Sequence, residues 1–195
     1  MNYLVHLFLS DPTPECLLGN LMGDFVKGRL DDTFPPEIRR GIAQHRTVDS
    51  FAQRSLAFRQ SKSRLDERYR HGKGILVDIF YDHFMARNWR RHADIPLNAF
   101  ARHVYRLLEA HVELLPPGLQ AVAPRMIAHN WLESYREEKV IGRVLERISA
   151  RLRRPTLIGE GLAELEKNYA GLERDFEAFL PEALGHLRAG GEKRN

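Results

Sequence analysis

Apolar residues recur at three- and four-residue spacing along most of the chain, which is the pattern of one face of an α-helix. Alternating runs typical of strands are few, and proline and glycine residues divide the pattern into separate segments. The sequence predicts helices over about 15–27, 36–59, 75–92, 99–115, 119–132, 134–151 and 157–187, with Pro181 as a point of interruption in the last one. We therefore expect a single irregular all-α domain over residues 1–188, followed by a disordered tail at 189–195.

Two carboxylates and an imidazole interrupt the apolar segment 75–90. Asp78 and Asp82 are four positions apart and so lie on the same helix face, and His83 follows directly. Like charges at this spacing repel each other, and burial of an unpaired carboxylate is costly. A divalent cation would relieve both penalties, because it binds oxygen and imidazole ligands. These three residues are therefore predicted metal ligands.

A second pair, His45 and Asp49, shows the same four-residue spacing, and Asp24 and His6 are further polar residues in apolar surroundings. Each residue has a structural alternative. A lone histidine is often a hydrogen-bonded core residue, Asp24 could cap a helix, and Arg46 could pair with Asp49 in an internal ion pair. Taken together, the acids outnumber the nearby bases, and this excess favours a metal site.

Histidine and aspartate ligands without cysteine are more typical of Mn²⁺, Mg²⁺ or Fe²⁺ than of structural zinc. A cation held in this way polarises a phosphoryl oxygen and lowers the pKa of bound water, which suits hydrolysis of a phosphoester. Lys27 and Arg46 are near the proposed ligands in sequence and are candidates for neutralising phosphate oxygens. The chain has no Walker-type phosphate loop, no zinc-protease helix and no nucleophile elbow.

The chain is basic, with a net charge of +4 and a pI near 9.4. Basic residues cluster at 39–40, 87–91, 143–154 and 193–194. Such clusters favour an acidic partner, although solvated helix faces are the simpler alternative. They lack the interleaved aromatic residues of a surface that stacks single-stranded bases, and we expect no nucleic-acid partner.

The sequence also bears on the compartment. No apolar run approaches the ~20 residues that span a bilayer, and the first residues lack the basic region and cleavage site of a secretory signal. Cys16 is the only cysteine, so no intrachain disulfide can form. We expect a cytoplasmic protein without a membrane partner.

An ordered series of short motifs resembles the bacterial acyl carrier protein phosphodiesterases, also called acyl carrier protein hydrolyases. The motifs are NYLVHL at 2–7, GNL to DFVKG at 19–28, FPP at 34–36, HRTVD at 45–49, Asp78 to DHF at 82–84, and WL to YR at 131–136. Together they cover nearly the whole chain. This family is similar to the HD-domain phosphohydrolases, all-α enzymes with a His/Asp metal centre. Here, however, the doublet reads Asp82-His83 instead of His-Asp.

The resemblance implies a reaction and a partner. Water would cleave the phosphodiester between 4′-phosphopantetheine and a serine of holo-acyl carrier protein, with Mn²⁺ as the metal. Acyl carrier proteins are small and acidic, so a basic enzyme would attract them. The expected metal ligands are His6, Asp24, His45, Asp49, Asp78, Asp82 and His83, of which Asp24, His45, Asp78, Asp82 and His83 would be catalytic. Lys27, Arg46 and Arg136 would bind the substrate, and Arg87, Arg90 and Arg91, which flank the proposed site, would contact the carrier protein.

Two other functions stay open. One is an HD-like hydrolase that acts on a nucleotide or alarmone with the same metal chemistry. The other is a non-catalytic, basic all-α binding protein whose acids form internal ion pairs. A substrate panel separates the first from the carrier-protein hydrolase, and a metal analysis identifies the second.

Overall fold

The computed structural model describes residues 3–152 and 156–192, and within these ranges it contains helices but no strand. The helices are α1 (Tyr3–Leu9), α2 (Pro14–Met22), α3 (Pro36–Arg54), α4 (Leu56–Arg64), α5 (Lys73–Asn88), α6 (Leu97–Ala110), α7 (Pro117–Ala128), α8 (Trp131–Ser134), α9 (Glu138–Arg151) and α10 (Leu162–Glu192). Short 3₁₀ segments lie at Glu67–Gly72, Trp89–Arg91, Val112–Leu114 and Ile158–Glu160. The predicted all-α fold is confirmed.

Several helix boundaries differ from the sequence pattern. The predicted helix over 36–59 is two helices, because Ser55 takes an extended conformation and its hydroxyl accepts a hydrogen bond from the Phe58 amide at the start of α4. The last helix runs through Pro181, which is exposed, so the carbonyl that loses its donor there can face water. This helix includes residues 189–192 of the predicted disordered tail. Residues 193–195, and the predicted break at 153–155, lie outside the described residues.

Helix α5 is the central element of the core. Most of its residues are buried, and it packs against α1, α4, α9 and α10. A helix that is apolar nearly all round belongs inside a domain, and α5 carries Asp82 and His83 into that interior. The polar groups of α5 therefore have to find partners within the protein.

Helices α2 and α3 pack closely and bring their polar residues together. A Cβ atom on Gly41 of α3 would lie only 2.2 Å from the carbonyl oxygen of Cys16 on α2. Only glycine permits this approach, which holds α2 against the first half of α3. Asp24, just beyond α2, and His45, one turn after Gly41, consequently become neighbours.

None of the described helices combines the length and apolar character that crossing a membrane requires.

Candidate metal centre

Four predicted ligands from three parts of the chain meet beside the middle of α3. His6 on α1 and His45 on α3 both direct Nε2 at the carboxylate of Asp49, at 3.2 Å and 3.4 Å. The Asp24 carboxylate lies 3.6 Å from the same His45 nitrogen. One ligand atom each from His6, His45 and Asp49 fits within 4.8 Å of the others. Two imidazoles and the Asp49 carboxylate are thus close enough to share one cation, and Asp24 adjoins them through its contact with His45.

The arrangement of the two imidazoles fits a metal site. The His6 and His45 rings stack with centroids 3.9 Å apart and planes 19° from parallel. Both Nδ1 atoms are buried and have no hydrogen-bond partner among the described residues, so each ring directs its polar contacts to the carboxylates through Nε2. Nitrogen and carboxylate donors converging on one point are the donor set that first-row divalent ions bind.

Gly23 fixes the position of the His45 ring. A Cβ atom at residue 23 would lie 2.2 Å from Cγ of His45, so the imidazole packs directly on the glycine backbone. The side chain of Asp49 is 58% exposed, whereas the two histidines are buried. The cluster is therefore held rigidly from inside and open to solvent at Asp49.

The protonation of the cluster follows from its contacts. Burial lowers the pKa of His6 to about 4, although the hydrogen bond to Asp49 opposes the change. Burial would also lower the pKa of His45, but hydrogen bonds to Asp24 and Asp49 outweigh it and raise the pKa to about 9. The pKa of the Asp49 carboxyl is held well below its usual range, because hydrogen bonds from both histidines outweigh burial. Without a cation, His6 is neutral at pH 7 and His45 carries a proton between two carboxylates.

Asp78 on α5 lies at the edge of this cluster. Burial raises its pKa to about 6, and the charges of Asp49 and Asp24 add to the effect. The carboxyl faces a cavity that also reaches Gln53, one turn beyond Asp49 on α3. Asp78 is therefore placed beside the four ligands, although it is not within the three-residue group of mutually close ligand atoms.

Asp82 is fully buried and serves the start of α1. Its two carboxylate oxygens accept hydrogen bonds from the Val5 amide at 2.9 Å and the Leu4 amide at 3.1 Å. These N–H groups lie in the first turn of α1, where no carbonyl of the same helix is available to them. Burial raises the pKa of Asp82 to about 7, against the effect of these two bonds. Here Asp82 orients the helix that carries His6.

His83 lies on another side of α5. Its Nδ1 lies 2.8 Å from the Tyr135 carbonyl oxygen, and its Nε2 lies 3.0 Å from the Tyr169 hydroxyl. Both ring nitrogens have partners, and burial lowers the pKa of the imidazole. The structure does not bring His83 to the cluster, because residues 82 and 83 of one helix point about 100° apart.

The two predicted phosphate-binding residues beside the cluster differ in their contacts. Arg46 donates hydrogen bonds of 2.8 Å to the carbonyl oxygens of Gly28 and Val26, and so ties the segment after Asp24 to α3. Lys27 lies in that segment and is exposed. The structure thus places Arg46 as a support for the segment that carries Lys27.

The four remaining predicted arginines share one cavity at the other end of α5. Arg87, Arg90, Arg91 and Arg136 all line a space of about 600 Å³. Arg87 and Arg91 have weak ion pairs with Glu138 and Glu177, each 3.8 Å long. The cavity therefore gathers positive charge that nearby acids neutralise only in part.

Sequence reasoning missed one buried polar residue near the cluster. Asn20 lies one turn before Asp24 on α2, and neither its amide oxygen nor its nitrogen has a hydrogen-bond partner among the described residues. Buried amides are normally hydrogen-bonded, so an unsatisfied one indicates a polar group still to be bound. The signal available in the sequence was its four-residue spacing from Asp24.

Comparison with known proteins gives one consistent family. The family model for acyl carrier protein phosphodiesterase matches residues 1–183. The acyl carrier protein phosphodiesterase of Serratia proteamaculans (strain 568) is 33% identical over 185 residues, which cover 94% of this chain and 96% of the relative. The protein of the same name from Yersinia enterocolitica is 32% identical over 189 residues, covering 96% and 98%. No solved structure gave a significant match. These matches support the narrower family and carry no information on a relation to HD-domain phosphohydrolases.

Proposed function

This chain belongs to the acyl carrier protein phosphodiesterase family, and on that premise we propose that it converts holo-acyl carrier protein to the apo form by hydrolysis that releases 4′-phosphopantetheine. The observation that carries the proposal is the convergence of His6, His45 and Asp49 within 4.8 Å. A family of phosphodiester hydrolases needs a group that stabilises negative charge at phosphorus, and this cluster provides a place to hold one.

We assign the cation to His6, His45, Asp49 and Asp24, with Mn²⁺ as the expected ion and Mg²⁺ or Fe²⁺ as alternatives. A cation held there would stabilise charge on a phosphoryl oxygen and lower the pKa of a bound water. Each histidine must remove the proton that its Nε2 donates to a carboxylate before that nitrogen can bind a cation. In neutral His6 this proton would move to Nδ1, and in His45 the additional proton would leave the ring. Asp24 and Asp49 then lose these hydrogen-bond donors and become available.

The reaction balances with water as the only co-reactant. The oxygen of water bonds to phosphorus, the phosphorus–oxygen bond to the carrier serine breaks, and the serine oxygen receives a proton. Asp78 is our candidate for the proton transfer, because its carboxyl adjoins the cluster and its pKa of about 6 suits exchange near neutral pH. We assign Asp82 to orienting α1, and we do not include His83 among the ligands.

We propose that the acidic carrier protein docks near the arginine-lined cavity. Arg90 and Arg136 line it without an ion pair among the described residues, so they are free to meet carboxylates of a partner. Opposite charges across an interface speed encounter, and they do so less as salt screens them. Lys27 is an exposed cation in the segment that follows Asp24, and it would neutralise a phosphate oxygen.

Intact-mass analysis tests the proposal. The protein is incubated with Mn²⁺ and either holo-acyl carrier protein or a panel of nucleotides, and an Asp49→Ala variant is the control. We expect loss of the 4′-phosphopantetheine mass from the carrier with the wild-type chain alone. Turnover of nucleotides with an unchanged carrier would favour the HD-like alternative. An unchanged carrier and nucleotide panel, with no metal bound, would favour a binding protein.

A further inference from the structure

A second basic cavity, separate from the one lined by arginines, lies next to the candidate metal centre. It has a volume of about 600 Å³, is open to solvent, and is lined by the end of α3, by α4, by the 3₁₀ segment Glu67–Gly72 and by the start of α5. Four basic side chains line it: Lys62, Arg70, His71 and Lys73. None of these four residues belongs to the sequence motifs or to the predicted metal ligands described above.

Two of the helices that line the cavity also carry residues at or beside the metal cluster. Asp78 lines it, and Gly74, which also lines it, is one turn before Asp78 on α5. Gln53 lines it from α3, one turn beyond the cluster residue Asp49. Asp78, whose pKa responds to the charges of Asp49 and Asp24, thus lines the same cavity as the four basic side chains.

The charge in the cavity is only partly neutralised. The Lys73 ammonium is 10% exposed and pairs with Glu67, whose side chain is 91% exposed. The Lys62 ammonium lies 5.5 Å from the centre of the Phe58 ring. Among the described residues, no ion pair involves Lys62, Arg70 or His71. The first backbone N–H groups of α5 add positive potential at the same place. The cavity is therefore suited to an anion.

Arg70 keeps an unfavourable backbone conformation at the cavity wall. Its φ and ψ of 42° and −118° belong to the first central position of a type II′ turn, where glycine is strongly preferred. A residue with a side chain persists in such a conformation only when the surroundings hold it there, and such residues often serve function. Here this conformation belongs to a basic residue that lines the cavity.

We propose that this cavity binds the phosphate monoester that leaves the metal centre, which for the proposed function is 4′-phosphopantetheine; this assignment rests on that function. Its volume of about 600 Å³ lies within the ~300–1,000 Å³ of small-molecule sites, so it can hold a flexible phosphorylated arm. Hydrolysis turns a phosphodiester with one negative charge into a monoester with up to two. The four bases therefore bind the product more strongly than the corresponding part of the substrate.

Calorimetric binding of 4′-phosphopantetheine to the full chain, kept in a chelator, tests this inference without turnover. Pantetheine, which lacks the phosphate, is the matched control ligand. Inorganic phosphate, which lacks the pantetheine arm, is the third ligand tested. A side chain at Gly74 would meet no atom within 4 Å of its Cβ, so Gly74→Glu and Gly74→Gln add equal bulk to the cavity and differ in charge. Gly185 has equally open surroundings on α10, and Gly185→Glu adds the same charge elsewhere.

We expect the phosphorylated ligand to bind at least about tenfold more tightly than pantetheine, and Gly74→Glu to weaken it about tenfold or more relative to Gly74→Gln. Gly185→Glu should bind as the wild type does. Arg70→Gly should weaken binding without lowering Tm, because it removes the base and relaxes the backbone. Equal Kd values of 4′-phosphopantetheine and pantetheine for the wild type would overturn the inference, as would equal Kd values of 4′-phosphopantetheine for the two Gly74 variants. Inorganic phosphate that binds as tightly as 4′-phosphopantetheine would also overturn it.

The outcome is separable from that of the proposed function. Weak, charge-independent binding together with intact hydrolysis of holo-acyl carrier protein would overturn the cavity assignment alone. Tight, charge-dependent binding together with an unchanged carrier protein would overturn the proposed hydrolysis alone.

Discussion

Asp82 and Asp49 are both predicted metal ligands, but the structure gives them different roles. Asp82 accepts hydrogen bonds from the start of α1, whereas Asp49 belongs to the cluster of close ligand atoms. Removing the Asp82 side chain would leave the Leu4 and Val5 amides without an acceptor in a fully buried setting. An unsatisfied buried donor costs about 1–3 kcal/mol, so Asp82→Ala should destabilise the fold by roughly 2–6 kcal/mol. Asp49 bonds no backbone amide among the described residues and its side chain is 58% exposed, so Asp49→Ala, which loses the contacts with His6 and His45, should cost less than Asp82→Ala and should remove a metal ligand.

The cost of Asp82→Ala should depend on pH. Folding raises the pKa of Asp82 from 3.8 to about 7. A carboxyl with a raised pKa binds its proton more tightly in the folded chain, so its contribution is most favourable below about pH 4 and is lost as the pH rises through about 7. At about 1.4 kcal/mol per pH unit, the wild type loses on the order of 3 kcal/mol of this contribution between pH 5 and pH 8. Alanine loses none of it, so the variant should be clearly less stable than the wild type at pH 5 and closer to it at pH 8.

Urea unfolding followed by far-ultraviolet circular dichroism, with a chelator present, measures both effects. The wild type, Asp82→Ala and Asp49→Ala are compared at pH 5 and pH 8. An Asp82→Ala protein as stable as the wild type at pH 5, or a difference that is the same at both pH values, would refute the assigned role of Asp82 in holding α1.

Three further predictions concern the cluster and the partner. Gly23→Ala places a methyl group 2.2 Å from Cγ of His45 and so displaces the imidazole. We expect it to weaken Mn²⁺ binding by about ten- to a hundredfold, as loss of ligand support does, and we expect no effect of Gly185→Ala. An unchanged Mn²⁺ affinity of Gly23→Ala would contradict the packing of His45 on Gly23. Since the pKa of His45 is about 9 without a cation, metal binding at pH 7 should release about one proton. The calorimetric enthalpy of Mn²⁺ binding should therefore change with the ionisation enthalpy of the buffer. The same enthalpy in all buffers would exclude proton release. Raising the salt concentration should lower kcat/KM, because it slows association with the carrier protein. Arg90→Glu or Arg136→Glu should raise KM more than it lowers kcat. A kcat/KM that does not depend on salt, together with unchanged kinetics of both variants, would place the docking surface elsewhere.

Helical periodicity was enough to predict the all-α fold but not where each helix ends. The division at Ser55 depends on the hydrogen bond that its hydroxyl oxygen accepts from the Phe58 amide, which a pattern of apolar positions does not contain. The continuation of α10 through Pro181 depends on which side of the helix meets solvent. Both are decided by tertiary surroundings and local capping, which override intrinsic preference.

The same limit applies to the site. Spacing placed Asp78 and Asp82 on one face of α5, and this geometry holds for any helix. It could not reveal that the amides of α1 take both oxygens of Asp82, while Asp78 adjoins the cluster. His6 and His45 are far apart in sequence, and only the packing of α1 and α2 against α3 and α5 brings the rings into contact. The four bases of the cavity beside Asp78 carry no local pattern at all.

The central claim is that the cluster of His6, His45, Asp49 and Asp24 holds the cation that this hydrolase needs. It is tested most directly by stripping the protein of metal, adding Mn²⁺ back in steps and following the intact mass of holo-acyl carrier protein. We predict no change of mass without metal, a rate of 4′-phosphopantetheine release that rises with bound Mn²⁺ to a plateau, and no restored release in Asp49→Ala at the same Mn²⁺ concentrations. Full release by the stripped protein, or restoration of Asp49→Ala to the wild-type rate at those concentrations, would contradict the account.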